Sequence, residues 1–144
     1  MLISIRPASH QDVSMLTALS EEFGYAADPI ALANRLTLLL GSPDLHQLWV
    51  AEVDGETAGW IHGFWRPLLE SPAAVEVGGL AVGERWRRQG VGAALLATCE
   101  NWARSKGATL ITLRSAAYGE DIPDFYAEQG YQPGTNQNIF RKQL

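Results

Sequence analysis

The stretch Arg87-Arg88-Gln89-Gly90-Val91-Gly92 constrains this chain more than any other, because it sits between an apolar run, residues 75–82, and a periodic segment, residues 91–102. That pattern predicts a strand, a tight basic turn and a helix. The first amides of a helix have no intrahelical acceptor and stand at the positive end of its dipole. A turn that opens a helix is therefore an anion site, most often for a phosphate. Gly90 and Gly92 let a ligand approach the backbone, and Arg85, Arg87 and Arg88 gather positive charge around the turn.

The flanking sequence supplies the other elements. Residues 2–6 alternate as a half-buried strand that Pro7 stops, and Ser9 is placed to cap a helix to about Phe23 with Val13, Leu16 and Leu19 on one face. Asp28-Pro29 starts a second helix that reaches Gly41. Asp54-Gly55 is a hairpin signal between strands at 47–53 and 57–65. A strand at 74–82 feeds the turn, the helix after it closes at Lys106-Gly107, and a β-rich run follows at 109–113. A short helix at 123–129 stops at Gly130, and further strands are expected from Tyr131 and over 138–142. The expected order is β-α-α-β-β-β-α-β-α-β-β.

Length and charge narrow the function. With 144 residues and 47% hydrophobic content, the expectation is one domain over 1–144. A formal net charge of −5 argues against nucleic-acid and anionic-membrane partners and suits a cationic or neutral small molecule, so the basic turn needs a local explanation. Cys99 is the one cysteine, which rules out an intramolecular disulfide and fits a reducing compartment. With no membrane-length apolar run, a soluble cytoplasmic protein is expected. His10, His46 and His62 lack metal spacing, so no metal is expected, and His10 and His46 read as surface residues. Trp60, His62 and Phe64 share a strand face, either as aromatic core or as lining of a pocket.

Other phosphate signatures fit the turn poorly. A P-loop would carry Lys-Ser or Lys-Thr after its last glycine, where Ala93-Ala94 stand, and a dinucleotide turn would need Gly or Ala at position 95, which is Leu. What matches is R-x-x-G-x-G after the strand end Leu80-Ala81-Val82, followed downstream by Phe125-Tyr126-x-x-x-Gly130-Tyr131. On these motifs and the element order, the chain resembles the GNAT superfamily of N-acetyltransferases over essentially its whole length.

The resemblance implies an α/β single-domain GNAT (acyl-CoA N-acyltransferase) fold, with a mixed, mostly antiparallel sheet splayed between the fourth and fifth strands and flanked by helices. It implies that acetyl-CoA is the cosubstrate. Arg87, Arg88, Gln89, Gly90, Val91, Gly92 and Ala93 would hold its pyrophosphate, while Leu80, Ala81 and Val82 would pair with its pantetheine arm. An N–H near Val82 would polarise the acetyl carbonyl. Tyr126 stands at the family's general-acid position, and a phenol is protonated at neutral pH. Glu76 is the candidate base, six residues before Val82 and on its face if the strand is regular, with a water chain as the alternative.

The implied reaction is direct acetyl transfer to the primary amine of a small molecule, of polyamine, amino-acid or aminoglycoside type, with some resemblance to aminoglycoside 6′-acetyltransferases. Rivals are a non-catalytic acyl-CoA sensor and an acyltransferase acting on protein N-termini or a hydroxyl. The chain departs from common family patterns in having no asparagine over 115–123, and in carrying Arg114 where N-terminal acetylating relatives place an acidic base. Exposed strand edges at the C-terminus are compatible with a homodimer.

Overall fold

Five strands form one sheet in the order β1-β2-β3-β4-β5. They are β1 (Ile3–Pro7), β2 (His46–Val53), β3 (Glu56–Leu68), β4 (Ser71–Val82) and β5 (Leu110–Leu113). Neighbouring pairs are antiparallel except β4 with β5, which run parallel. The computed structural model describes residues 2–23, 27–114, 122–134 and 137–144. Two units divide it, Met1–Arg114 and Ser115–Leu144.

In the first unit the local signals act as expected. Asp54 (φ 51°) and Gly55 (φ 83°) both take the left-handed conformation that a two-residue hairpin of matching twist requires, and they join β2 to β3. The Asp28 side chain accepts from the Ile30 N–H at 3.0 Å and opens α2 (Pro29–Leu40). Ser9 is followed by one 3-10 turn, His10–Asp12, before α1 (Val13–Glu22). The Asp12 carboxylate accepts from the Ser9 N–H at 2.8 Å and from both Arg6 Nη atoms at 2.9 and 2.7 Å. The Arg6 hydrogen bonds hold this buried carboxyl below the usual aspartate range and tie β1 to the start of α1.

The two faces of the sheet bury different helices. On one, Ala8, Leu16, Leu36, Leu48 and Val50 form a core cluster under α1 and α2, with Trp60 packed against it. On the other lies α3 (Val91–Ser105), whose buried stripe is Val91, Leu95, Leu96, Cys99 and Ala103. This helix sits close because β3 has glycine beneath it. A Cβ at Gly63 would lie 2.5 Å from Cys99 Sγ, and one at Gly59 would lie 3.3 Å from Leu95. Trp102 meets Trp49 edge-on at 6.0 Å between ring centroids. At its end α3 closes with the Gly107 N–H on Arg104 O (3.0 Å) and the Ala108 N–H on Ala103 O (3.0 Å), the paired bonds of a Schellman cap.

In the second unit, α4 (Ile122–Glu128) ends in the same way. Gly130 (φ 90°) donates to Ala127 O at 3.0 Å, and the Tyr131 N–H donates to Tyr126 O at 3.0 Å. The Tyr126 and Tyr131 rings meet edge-on at 6.0 Å, the side-chain contact that accompanies this cap. The strands expected from Tyr131 and over 138–142 do not form, since residues 131–134 and 137–144 carry no regular secondary structure. Alternation makes a strand only where one face is buried and a neighbour supplies the ladder; Ile139 and Phe140 are exposed.

Candidate functional site

The pairing of β4 with β5 covers only Ala74↔Leu110 to Val77↔Leu113. From Gly78 to Val82, β4 has no strand partner on that side among the described residues, so its outer edge is open. The alternation of the antiparallel ladder identifies the groups on this edge. Gly83 donates to Ala58 O across the β3 side at 2.7 Å, so residues 79 and 81, in step with it, also face β3. The backbone groups of Leu80 and Val82 therefore point outward along the open edge. Val82 O is met there by Arg87 Nε at 3.3 Å.

The chain continues through a 3-10 turn (Glu84–Trp86) into the basic stretch. Arg88 (φ 62°) and Gly90 (φ 88°) both take left-handed backbone, and Gly90 caps α3 without a side-chain hydrogen bond. Alternation of left-handed with ordinary backbone turns successive N–H groups into one concavity, the nest geometry that binds anions. The N–H groups of Val91, Gly92 and Ala93 follow with no intrahelical acceptor, whereas the Ala94 N–H already bonds Gly90 O at 3.0 Å. The guanidinium of Arg87 rests over the Phe23 ring at 5.0 Å, which sets its direction beside the turn. Arg85 points elsewhere, pairing with Glu56 at 3.0 Å and stacking on Trp86. The turn and the open edge of β4 are thus continuous, and their donors suit a pyrophosphate joined to an amide-bearing arm.

Glu76 faces Phe64 across the ladder and Thr112 on β5. The register shifts between His62↔Gly79 and Gly63↔Val77, so Gly78 is an extra residue, a β-bulge. This bulge overturns the expectation that Glu76 shares a face with Val82. Glu76 lies with Phe64, His62, Gly79 and Ala81 on the α1–α2 face, while the Val82 side chain points to the α3 face. The Oε1 of Glu76 accepts from Arg66 Nη1 at 3.1 Å and lies 4.0 Å from Arg114 Nε.

The same face carries a feature the sequence did not predict. His46 Nδ1 and His62 Nε2 lie 3.0 Å apart, so His46 is a partner of His62 and not a free surface residue. Burial, reinforced by His46, pushes His62 down to about 4. Phe64 packs beside both rings, at 5.8 Å from His62 and 6.1 Å from His46. Nothing in the spacing 46, 62 reveals this, because the pair forms only through the β2–β3 register, which sets Leu48 and not His46 opposite His62. His10 is exposed and bonded to Thr37 Oγ1 at 2.9 Å.

Tyr126 belongs to the second unit. Burial raises its phenol above the ordinary value, which keeps it protonated at neutral pH. Residues 115–121, most of the stretch that lacks an asparagine, and residues 24–26, between the first two helices, lie outside the described residues. Among the described residues no group of three or more His, Cys, Asp or Glu is placed to hold a metal. A groove of about 70 Å³ borders Leu40, Pro43 and His46, well below the several hundred Å³ of an ordinary ligand pocket, and no β4 residue lines it.

Known proteins share this fold. A transcriptional regulator from Bacillus halodurans C-125 superposes with a TM-score of 0.88 at 18% identity, covering 98% of this chain and 100% of that one. The aminoglycoside acetyltransferase AAC(6′)-Iy, in complex with the bisubstrate analogue CoA-S-monomethyl-acetylneamine, gives 0.86 at 18% identity with 100% of both chains covered. Glucosamine-6-phosphate N-acetyltransferase from Arabidopsis thaliana gives 0.80 at 17% identity, covering 98% and 99%. At these identities the likeness is one of fold. No curated protein sequence matches. Residues 13–131, which take in the β4 edge, the basic turn and the Tyr126 block, match the model of the acetyltransferase (GNAT) family, and the chain belongs to that family.

Proposed function

We propose that the protein transfers an acetyl group from acetyl-CoA directly to the primary amine of a small molecule. The observation that carries this reading is the continuity of the anion-binding turn with the open β4 edge. The N–H groups of residues 88–93, with Arg87 and Arg88 beside them, hold the pyrophosphate. The outward backbone groups of Leu80 and Val82 pair with the amide-bearing arm as a strand would, and one of their N–H groups polarises the acetyl carbonyl. Acetyl-CoA supplies the activated thioester. In the transfer an N–C bond forms and the C–S bond breaks; the acceptor ammonium sheds one proton to become a nucleophilic amine and a second as the amide forms, one proton goes to the departing thiolate, and the other is released to solvent. Tyr126, held protonated by burial, is the donor to sulfur. Glu76, or a water chain beside it, takes the proton from the amine.

The acceptor class follows from charge and neighbours. A chain of net charge −5 attracts cations, and Glu76 adds a carboxylate on the face beside the β4 edge. Neamine joins the acceptor panel because AAC(6′)-Iy was captured with an acetylneamine analogue. Release of CoA thiol from acetyl-CoA in the presence of neamine, spermidine and lysine, with product masses, tests the reading. An amine-dependent rate with acetylated product is expected. Saturable CoA binding without turnover of any amine would instead mark a non-catalytic sensor, and acetyl ester products a hydroxyl acceptor.

A further inference from the structure

The His46–His62 pair is unused in the reaction just described, yet it lies beside the β4 edge. A Cβ at Gly78 would stand 2.7 Å from His62 Nδ1, so the imidazole rests directly on the bulge where β4 parts from β5. The bare backbone at 78 is what admits the ring. From there the outward N–H of Leu80 is two residues on, about 7 Å along a strand. Glu76 lies on the other side of the bulge with both arginine contacts on Oε1.

The two ring nitrogens of His62 have different roles. If Nε2–H donates to His46 Nδ1, both imidazoles keep the Nε2–H tautomer, the intrinsically favoured one, and His62 Nδ1 carries a lone pair. No protein group bonds that Nδ1 among the described residues. Two further polar atoms on this face, Trp60 Nε1 and Thr112 Oγ1, are buried without a hydrogen-bond partner. A native fold rarely leaves such atoms orphaned unless another molecule completes them. Trp60 borders Gly79, where a Cβ would lie 2.6 Å from its ring, and Thr112 stands opposite Glu76. Beside the bulge this face carries Glu76 of β4, Arg66 of β3 and Arg114 after β5, joined in one ion-pair cluster, and further along it Arg6 of β1 pairs with Asp12 and Glu52.

We propose that His62, oriented by His46, is a positioning residue whose Nδ1 accepts an N–H of the acceptor amine and aims its lone pair at the β4 edge. This rests on the reading of the site as an amine acetyltransferase. A primary amine suits the arrangement because it keeps an N–H for His62 while its lone pair attacks.

The test compares two substitutions that each imitate one nitrogen. His62→Asn places an amide oxygen near the Nδ1 position, whereas His62→Gln reaches the Nε2 position and loses Nδ1. With the best amine of neamine, spermidine and lysine, kcat/KM is expected to fall about tenfold or more in the Gln variant, as for one lost hydrogen bond to a reacting group, and to stay within about threefold in the Asn variant. Unchanged CoA affinity in both shows that the fold is kept. Equal losses in the two variants, or wild-type rates in the Gln variant, overturn the proposal.

Long-range 1H–15N spectra of the wild type give an independent readout. An unprotonated His62 Nδ1 whose signal moves on adding neamine or spermidine supports the assignment; a protonated Nδ1, or one indifferent to every amine, overturns it. If no amine is acetylated, the transfer reading fails by itself, and these spectra still decide whether His62 receives an amine.

Discussion

Tyr126 and His62 are opposite cases of one physical effect, because burial favours the uncharged form of each. For Tyr126 that keeps a proton available, so Tyr126→Phe should lower kcat by roughly ten- to a hundredfold while CoA affinity stays at the wild-type value. Wild-type turnover in that variant would reduce Tyr126 to a packing residue of the α4 cap. For His62 the consequence is a pH dependence of stability. Its folded value of about 4 lies below the ordinary imidazole value of 6.5, so above about pH 6.5 both states are neutral and nothing is lost. As pH falls from 6.5 towards 4 the unfolded chain takes up a proton that the folded chain refuses. On the order of 2 kcal/mol is lost by pH 5. Thermal melts should show the wild type losing several degrees more than His62→Gln between pH 7 and pH 5, and parallel losses would contradict the burial of a neutral His62.

At the scale of elements, close approach decides what the sequence could reveal. The hairpin at Asp54-Gly55, the caps at Asp28, Gly107 and Gly130, and the basic turn were all legible, because each is a local signal with its own hydrogen bonds. The motif Phe125-Tyr126-x-x-x-Gly130-Tyr131 has a local physical meaning as well, since it encodes a Schellman cap stapled by two tyrosines. The bulge at Gly78 was not legible. Gly78-Gly79 signals a kink only once His62 and Trp60 are known to lie over it, and that depends on the β3–β4 register. The last strands failed for the related reason that alternation does not specify a partner. Gly79→Ala should place a Cβ 2.6 Å from the Trp60 ring and cost about 1–3 kcal/mol in chemical denaturation. An unchanged midpoint would mean that Trp60 moves aside freely. Under α3, burial pushes the Cys99 thiol up to about 12, so a thiol reagent should modify it only after denaturation, and rapid labelling of the native protein would show α3 lifting from the sheet.

Over the whole molecule, the family match extends across both units, from residue 13 to residue 131. Among the described residues no helix is long and apolar enough to cross a membrane. A net charge of −5 surrounds a local cluster of arginines at the turn, a contrast that confines the positive potential to one place. Gly92→Trp puts a bulky side chain in the first turn of α3, and it should abolish CoA binding while leaving the thermal midpoint near that of the wild type. The central claim, that the turn and the β4 edge together hold acetyl-CoA, is tested most directly by titrating CoA into 15N-labelled protein and following backbone amide signals. The largest shifts are predicted at Leu80, Val82 and residues 88–93, with Glu56 and the β2–β3 hairpin unmoved. Saturable binding that leaves those amides in place and shifts others would contradict it.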